Sequence, residues 1–183
     1  MLVIHPKDRT TEFLSVLYDG EDNAVVIAEN ISRADLNHKL HHISKSERIF
    51  LLGHGSDKGL FWREDDSKLD FDGILVGHPH TYYLRNHGSN IVAVFCNADK
   101  FAQAEHLHGL YTGMIISELD EAVEFGIETT EEELESENIK FARRLRSLLD
   151  ENVPLSEIPQ RMQQLDNKHS PLTDFNYHRI YFL

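Results

Sequence analysis

Short runs of consecutive apolar residues recur along the chain, and each run is closed by turn-forming residues. The runs are Leu2–Ile4, 24–28, Ile49–Leu52, 91–95 and 112–117. Continuous apolar runs of this length are typical of strands that are buried on both faces, as the strands of parallel sheets are. We therefore predict that these five runs form the core strands of one sheet.

Segments with helical spacing alternate with these strands. Ser32 opens a segment that places Leu36 and Leu40 on one face, and Asp35 stands where a capping box needs an acceptor. Further helices are predicted over 10–18, 81–86, 99–106, 137–149 and 156–165, with a last strand over 177–183. This alternation predicts an α/β fold, in which residues 1–183 form a single domain with a mostly parallel sheet and helices on both faces.

Two of the predicted strands end in a chemically reactive side chain. The strand Ile49–Leu52 is followed by Gly53, His54 and Gly55, and the strand over 91–95 is followed by Cys96, the only cysteine. Ligands of open α/β sheets bind outside the carboxyl ends of the strands. If the two strands are neighbours, the imidazole and the thiol face each other across one crevice.

An imidazole beside a thiol suits acyl transfer. Cysteine attacks carbonyl carbon as the thiolate, and a histidine can hold the proton and later deliver it to the leaving amine. We predict a cysteine endopeptidase in which His54 is the general base and acid, Cys96 is the nucleophile, and the Gly55 N–H is an oxyanion donor. A cysteine at a strand end is also often inert packing, so the pair carries the prediction rather than either residue alone.

These two blocks resemble the caspase-hemoglobinase fold of clan CD cysteine peptidases, particularly the bacterial CHAT-type and caspase-like members. In that family an apolar strand ends in His-Gly and the next core strand ends in the nucleophile. Residues 51–55 match the first block, and residues 94–97 match the second in position. Phe95 stands where the family usually has a small residue, and the glycine that commonly follows the cysteine is absent. The resemblance implies a caspase-like sheet over roughly residues 1–150.

The resemblance also implies where the substrate binds. In the family, the segment after the strand that neighbours the nucleophile helps to form the pocket for the residue before the scissile bond. Here Ser117, Glu118 and Asp120 occupy that segment, and carboxylates there would pair with arginine or lysine. We predict cleavage after basic residues. The alternative is that these carboxylates belong to the first turn of a following helix and face solvent.

Composition narrows the choice of partners. The formal net charge of −13 argues against nucleic acid or an anionic membrane as the main partner and favours basic or neutral ligands. The peptidase prediction implies a protein or peptide substrate. No signal peptide or long apolar run is evident, which predicts a cytoplasmic protein with a reduced Cys96.

The proposed chemistry requires no metal and no cofactor. His38 and His42 have the i, i+4 spacing of a zinc pair, but a polar helix face explains them equally well. The oligomeric state stays open.

Two other functions remain possible on the sequence alone. The chain could be a catalytically inactive caspase-like module that uses an acidic crevice to bind a partner. It could also be a phosphate- or nucleotide-binding α/β domain, because a loop after a strand, here Gly53 to Gly59 with Lys58, can cradle an anion.

Overall fold

The structure of the protein is a computed structural model that describes residues 1–65, 67–68 and 70–183. Its strands are β1 (Leu2–Ile4), β2 (Val25–Ile27), β3 (Ile49–Leu52), β4 (Gly55–Ser56), β5 (Gly59–Trp62), β6 (Gly73–Gly77), β7 (Ile91–Val94), β8 (Leu110–Thr112) and β9 (Ile180–Phe182). Its α-helices are α1 (Arg33–His42), α2 (Thr81–Leu84), α3 (Ala98–Glu105), α4 (Leu119–Glu124), α5 (Glu131–Asp150), α6 (Ile158–Leu165) and α7 (Pro171–Tyr177). Single 3-10 segments span Glu12–Leu17, His78–His80 and Arg85–Asn90.

The main sheet has the strand order β2-β1-β3-β7-β8-β9. Every neighbouring pair is parallel except β8 and β9, which run antiparallel. The predicted α/β fold with a mostly parallel sheet is therefore confirmed. Strands β3 and β7 are direct neighbours, and Leu52 pairs with Val94 at their carboxyl ends.

Helices cover both faces of this sheet, as predicted. Alternate residues of a strand point to opposite faces. Leu51 accordingly belongs to a cluster with Leu36 and Leu40 of α1, whereas Leu52 belongs to a second cluster with Phe141 of α5. All four β3 residues are buried, which explains why β3 is apolar without alternation.

The strand predicted over 24–28 is shorter and less buried than its composition suggests. Val25 and Val26 of β2 are 51% and 43% exposed. The prediction of a buried strand is wrong here because β2 lies at the edge of the sheet, where only β1 pairs with it.

The strand predicted over 112–117 is also wrong. β8 ends at Thr112, and the following segment leaves the sheet although Ile115 and Ile116 are buried. The side chain of Asn176 replaces a neighbouring strand there, because it accepts a hydrogen bond from the Ile116 N–H and donates one to the Ile116 carbonyl. Burial of an apolar run therefore does not require sheet pairing.

The chain end contains a helix that the apolar pattern did not predict. Tyr177 ends α7 instead of opening the last strand, and β9 begins only at Ile180. Ser170 caps α7 by accepting a hydrogen bond from the Thr173 N–H, and Pro171 is its first residue.

A small antiparallel sheet follows β3 directly, with the strand order β4-β5-β6. Ser56 pairs with Gly59, so residues 57 and 58 form a two-residue hairpin turn. The segment from Gly53 to Gly59 is thus mostly hairpin. In the described part of the chain, no helix has the length and apolar character that crossing a membrane requires.

Candidate active site

The structure brings the two predicted reactive residues to one place. His54 lies just after β3 and Cys96 just after β7, and the backbone N–H of Gly53 donates to the Val94 carbonyl at 3.1 Å. Both side chains line one narrow cavity of about 20 Å³, to which Ser117 also contributes. Such a volume holds roughly one water molecule. The adjacency inferred from parallel strand ends is therefore present.

Backbone turns place both residues off their strands. Gly53 has a φ of 133°, which L side chains rarely adopt, so glycine is needed where the chain turns away from β3. Asn97 has a φ of 61°, a left-handed conformation that asparagine tolerates, and α3 begins at the next residue. Cys96 thus occupies a tight turn between a buried strand and a helix.

Gly55 is held in close contact with Phe95. A Cβ atom at Gly55 would lie 2.4 Å from a Phe95 ring carbon and 2.6 Å from the Gly59 carbonyl oxygen, so only glycine fits. The His54 carbonyl accepts from the Phe61 N–H at 2.8 Å. Because antiparallel pairs alternate between bonded and non-bonded positions, the Gly55 N–H points away from β5. It therefore does not take part in the pairing of β4 with β5.

His54 is held by two residues that the sequence did not single out. Its Nε2 lies 2.7 Å from the Thr10 hydroxyl and 3.6 Å from Asp8 Oδ1. The Thr10 hydroxyl and the Thr10 N–H both donate to that same Asp8 oxygen, at 2.7 and 3.0 Å. Phe71 covers the imidazole, with ring centroids 5.3 Å apart. The imidazole is thus oriented by a carboxylate and a hydroxyl, and packed by an aromatic ring.

Asp8 is a buried anion, and its partners keep it ionised. Arg63 forms a two-pronged ion pair with its Oδ2, one prong through Nε at 2.6 Å and the other through Nη2. Burial would raise the pKa of Asp8, but the nearby His54 imidazole and the hydrogen bonds from Thr10 outweigh burial and hold that pKa far below its usual range. An ionised carboxylate only accepts, so the single Thr10 hydroxyl proton goes to Asp8 and Thr10 accepts from His54 Nε2–H. This assignment leaves Nδ1 as the His54 nitrogen able to take a proton.

The Cys96 thiol has a very different environment. It donates to the Ile115 carbonyl at 3.6 Å and approaches Glu121 Oε1 at 3.9 Å. Burial, followed by the negative charge of Glu121, raises the pKa of the thiol to about 12. Cys96 is therefore a neutral thiol at neutral pH in this conformation.

Glu121 is fixed by the turn that precedes α4. Its Oε2 accepts from the Ser117 N–H, the Ser117 hydroxyl and the Glu118 N–H, at 2.7, 3.1 and 3.1 Å. Burial nevertheless raises the pKa of Glu121 above its ordinary value. The alternative for this segment, a helix start, is present, but Glu121 in its first turn faces the thiol rather than solvent.

The predicted substrate-binding residues line a neighbouring cleft. Ser117, Glu118 and Asp120 contribute to a cleft of about 490 Å³ together with Glu131 and Glu135 of α5. Arg9 and Thr10 also line this cleft, so it adjoins the His54 network through Thr10. Ser117 lines both this cleft and the His54–Cys96 cavity. Four carboxylates against one guanidinium make it acidic.

Comparisons with protein-family models, with curated proteins and with solved structures gave no match.

Proposed function

We propose that the protein is a caspase-like cysteine peptidase in which His54 and Cys96 form the catalytic dyad. The observation that carries the proposal is the shared cavity at the carboxyl ends of two paired strands, with His54 oriented by a buried carboxylate. A nucleophile, a base and a group that orients the base are the parts that acyl transfer needs. The resemblance of residues 51–55 and 94–97 to clan CD peptidases points to the same reaction.

In this mechanism His54 takes the Cys96 proton as the sulfur attacks the scissile carbonyl. The negative charge of Asp8 stabilises the imidazolium that forms, and Thr10 keeps the protonated Nε2 turned toward Asp8. The carbonyl oxygen, now negative, accepts from the Gly55 N–H. The imidazolium then returns the proton to the leaving amine, and water hydrolyses the thioester by the reverse sequence.

The thiol must leave Glu121 before this reaction starts. A thiol with a pKa near 12 is a poor nucleophile at pH 7, and its nearest polar groups are acceptors. A substrate that enters the cavity would displace Cys96 from the Ile115 carbonyl and exclude water from the pair. Catalytic hydrogen bonds often tighten only when substrate is bound.

The acidic cleft supports a preference for arginine or lysine before the scissile bond. Glu118 and Asp120 line this cleft together with Ser117, which also lines the cavity that contains Cys96. The guanidinium group of an arginine or the ammonium group of a lysine in the substrate would leave water and form ion pairs with these carboxylates. Glu131 and Glu135 add to the same field.

A non-catalytic interaction module is the second candidate, and the raised pKa of Cys96 favours it. A buried neutral thiol behaves as a small apolar residue, and the acidic cleft alone would suit a basic peptide. The phosphate-binding alternative has less support, because hairpin pairing of β4 with β5 occupies most of the Gly53–Gly59 loop.

Fluorogenic peptides that differ only at the residue before the scissile bond test the peptidase proposal. We expect cleavage after arginine or lysine by the wild type, none by Cys96→Ala, and weaker cleavage by Glu118→Gln and Asp120→Asn. A preference for aspartate, or a basic preference untouched by both charge variants, would contradict the assigned cleft.

A basic peptidyl chloromethyl ketone separates the two candidates without a known substrate. We expect covalent labelling of Cys96 in the wild type, measured by intact mass, and at least roughly tenfold slower labelling in His54→Ala. Binding of the peptide with equal, very slow labelling of both proteins would replace the peptidase with the interaction module.

A further inference from the structure

Three side chains that can ligate a metal converge where α6 gives way to α7. Asp166 follows the last residue of α6, His169 lies in the connecting loop, and Asp174 is in α7. One ligand atom from each lies within 4.8 Å of the other two. Nδ1 of His169 is 3.9 Å from a carboxylate oxygen of each aspartate. These distances exceed hydrogen-bonding contact, so the three groups converge without bonding to one another.

The Asp166 carboxylate is buried and only half satisfied. Asp166 is 4% exposed, and its Oδ1 accepts from the Lys168 and His169 N–H groups. Within the described residues, Oδ2 has no hydrogen-bond partner. The hydroxyl of the adjacent Thr173 donates to the Ser170 carbonyl instead. Burying a carboxylate oxygen without a partner is costly, and a cation at Oδ2 would remove that cost.

The nearest lysine is engaged elsewhere. Lys168 Nζ contacts Glu133 at 2.6 Å and Glu137 at 3.5 Å, on α5. Its backbone N–H, not its ammonium group, reaches Asp166. Among the described residues, the exposed His169 is the one side chain that can carry a positive charge and that pairs with both aspartates.

We propose that Asp166, His169 and Asp174 bind a divalent transition-metal ion of the zinc type. Two carboxylate oxygens and one imidazole nitrogen suit zinc better than magnesium or calcium, which prefer oxygen alone. Zinc–ligand bonds of about 2.0–2.2 Å place tetrahedral ligand atoms roughly 3.3–3.6 Å apart. His169 and Asp174 are 70% and 51% exposed, so their side chains can close the remaining gap.

Metal binding would also stabilise the segment at Ile115 and Ile116, which lies next to Cys96, through contacts made by α7. Asp174 belongs to α7, and Asn176 of the same helix hydrogen-bonds both backbone groups of Ile116. The preceding carbonyl, that of Ile115, accepts from the Cys96 thiol. The ion would therefore support the loop that positions Cys96 and would take no part in the chemical step. The binding site itself is independent of the proposed peptidase activity.

Calorimetric titration of the EDTA-treated full chain with ZnCl₂ tests the site, with thermal melting as a second readout. We expect one saturable site and a rise in Tm, with weaker responses to MnCl₂ and none to MgCl₂. His169→Asn and Asp174→Asn should each weaken zinc binding at least about tenfold while leaving Tm in EDTA unchanged. Asparagine is chosen at His169 because the φ there is 50°, which asparagine tolerates.

The double variant His38→Ala/His42→Ala is the matched control, because these exposed rings stack 4.1 Å apart and could themselves chelate. We expect it to bind zinc like the wild type. Absence of saturable binding would overturn the proposal. So would binding that survives both His169→Asn and Asp174→Asn, or binding that is lost only in the double variant.

Discussion

The two halves of the candidate site differ in how far they are prepared for chemistry. The base side, made of Asp8, Thr10, His54 and Arg63, is a connected set of short polar contacts around an ionised carboxylate. The thiol side, made of Cys96, Ile115 and Glu121, has long contacts and a thiol with a pKa of about 12. The His54 imidazole is therefore oriented by its neighbours, whereas the Cys96 thiol is kept neutral.

This difference has a local electrostatic origin. On the base side a buried negative charge faces a group that becomes positive during the reaction, so the field favours the reacting state. On the thiol side a carboxylate faces a group that becomes negative, so the field opposes it. A peptidase built in this way would stay inactive until substrate rearranges the thiol side.

Removing either member of the dyad should have the largest effect. We expect Cys96→Ala and His54→Ala each to lower kcat/KM by on the order of 10⁴-fold or more, and the double variant to lose little beyond either single variant. The reason is that the proton donor and the acceptor work as one unit. Peptide hydrolysis under single-turnover conditions measures this. Additive losses would show that the two residues act independently.

Asp8→Asn should reduce activity by roughly 10²-fold, because the carboxylate orients His54 and stabilises its protonated form. Asp57→Asn is the matched control, since among the described residues that aspartate pairs only with its exposed neighbour Lys58, and the variant should keep full activity. Equal activity of both variants would remove Asp8 from the mechanism.

Asp8 should also contribute to stability in acid. Its pKa in the folded protein lies below the unfolded value of about 3.9, so its contribution is complete above about pH 5 and is lost progressively as pH falls toward the lower folded value. We expect Asp8→Asn to be less stable than the wild type at neutral pH and the difference to shrink below pH 4. Urea unfolding at several pH values measures it. A constant difference across this range would mean that Asp8 does not titrate in this way.

The sequence predicts the strands and helices that bring His54 and Cys96 together better than it predicts the residues that set the protonation state of these two side chains. Apolar runs predict β3 and β7, and helical spacing together with a cap at Ser32 predicts α1. The Ser32 hydroxyl accepts a hydrogen bond from the Asp35 N–H, as expected for such a cap. Adjacent parallel strands then place His54 beside Cys96. These signals are local, so a sequence carries them directly.

Asp8 and Glu121 escape prediction because their roles depend on distant contacts. Asp8 lies in an irregular segment after β1, and its partner Arg63 is 55 residues away. The one signal for Asp8 in the sequence is that it follows the end of β1. Because β1 is parallel to β3, that end lies at the same edge of the sheet as His54. Glu121 reaches the thiol only because the segment after β8 leaves the sheet, which depends on Asn176. No periodic pattern records either contact.

Glu121→Gln should have the smallest effect, and it goes in the opposite direction. Unit charges about 4 Å apart interact by roughly 4 kcal/mol at an effective dielectric of 20, and partial exposure of Glu121 screens this further. We therefore expect roughly tenfold faster iodoacetamide labelling of Cys96 near neutral pH, because the pKa of the thiol falls while burial still keeps it raised. Glutamine retains an oxygen for the Ser117 and Glu118 N–H groups, so the turn before α4 should persist.

Glu118→Gln is the control. The charge of Glu118 raises the pKa of the thiol less than that of Glu121 does, so this variant should change labelling less. If the two variants label equally fast, burial alone suppresses the thiol, and the contrast between the two sides is one of packing rather than of charge.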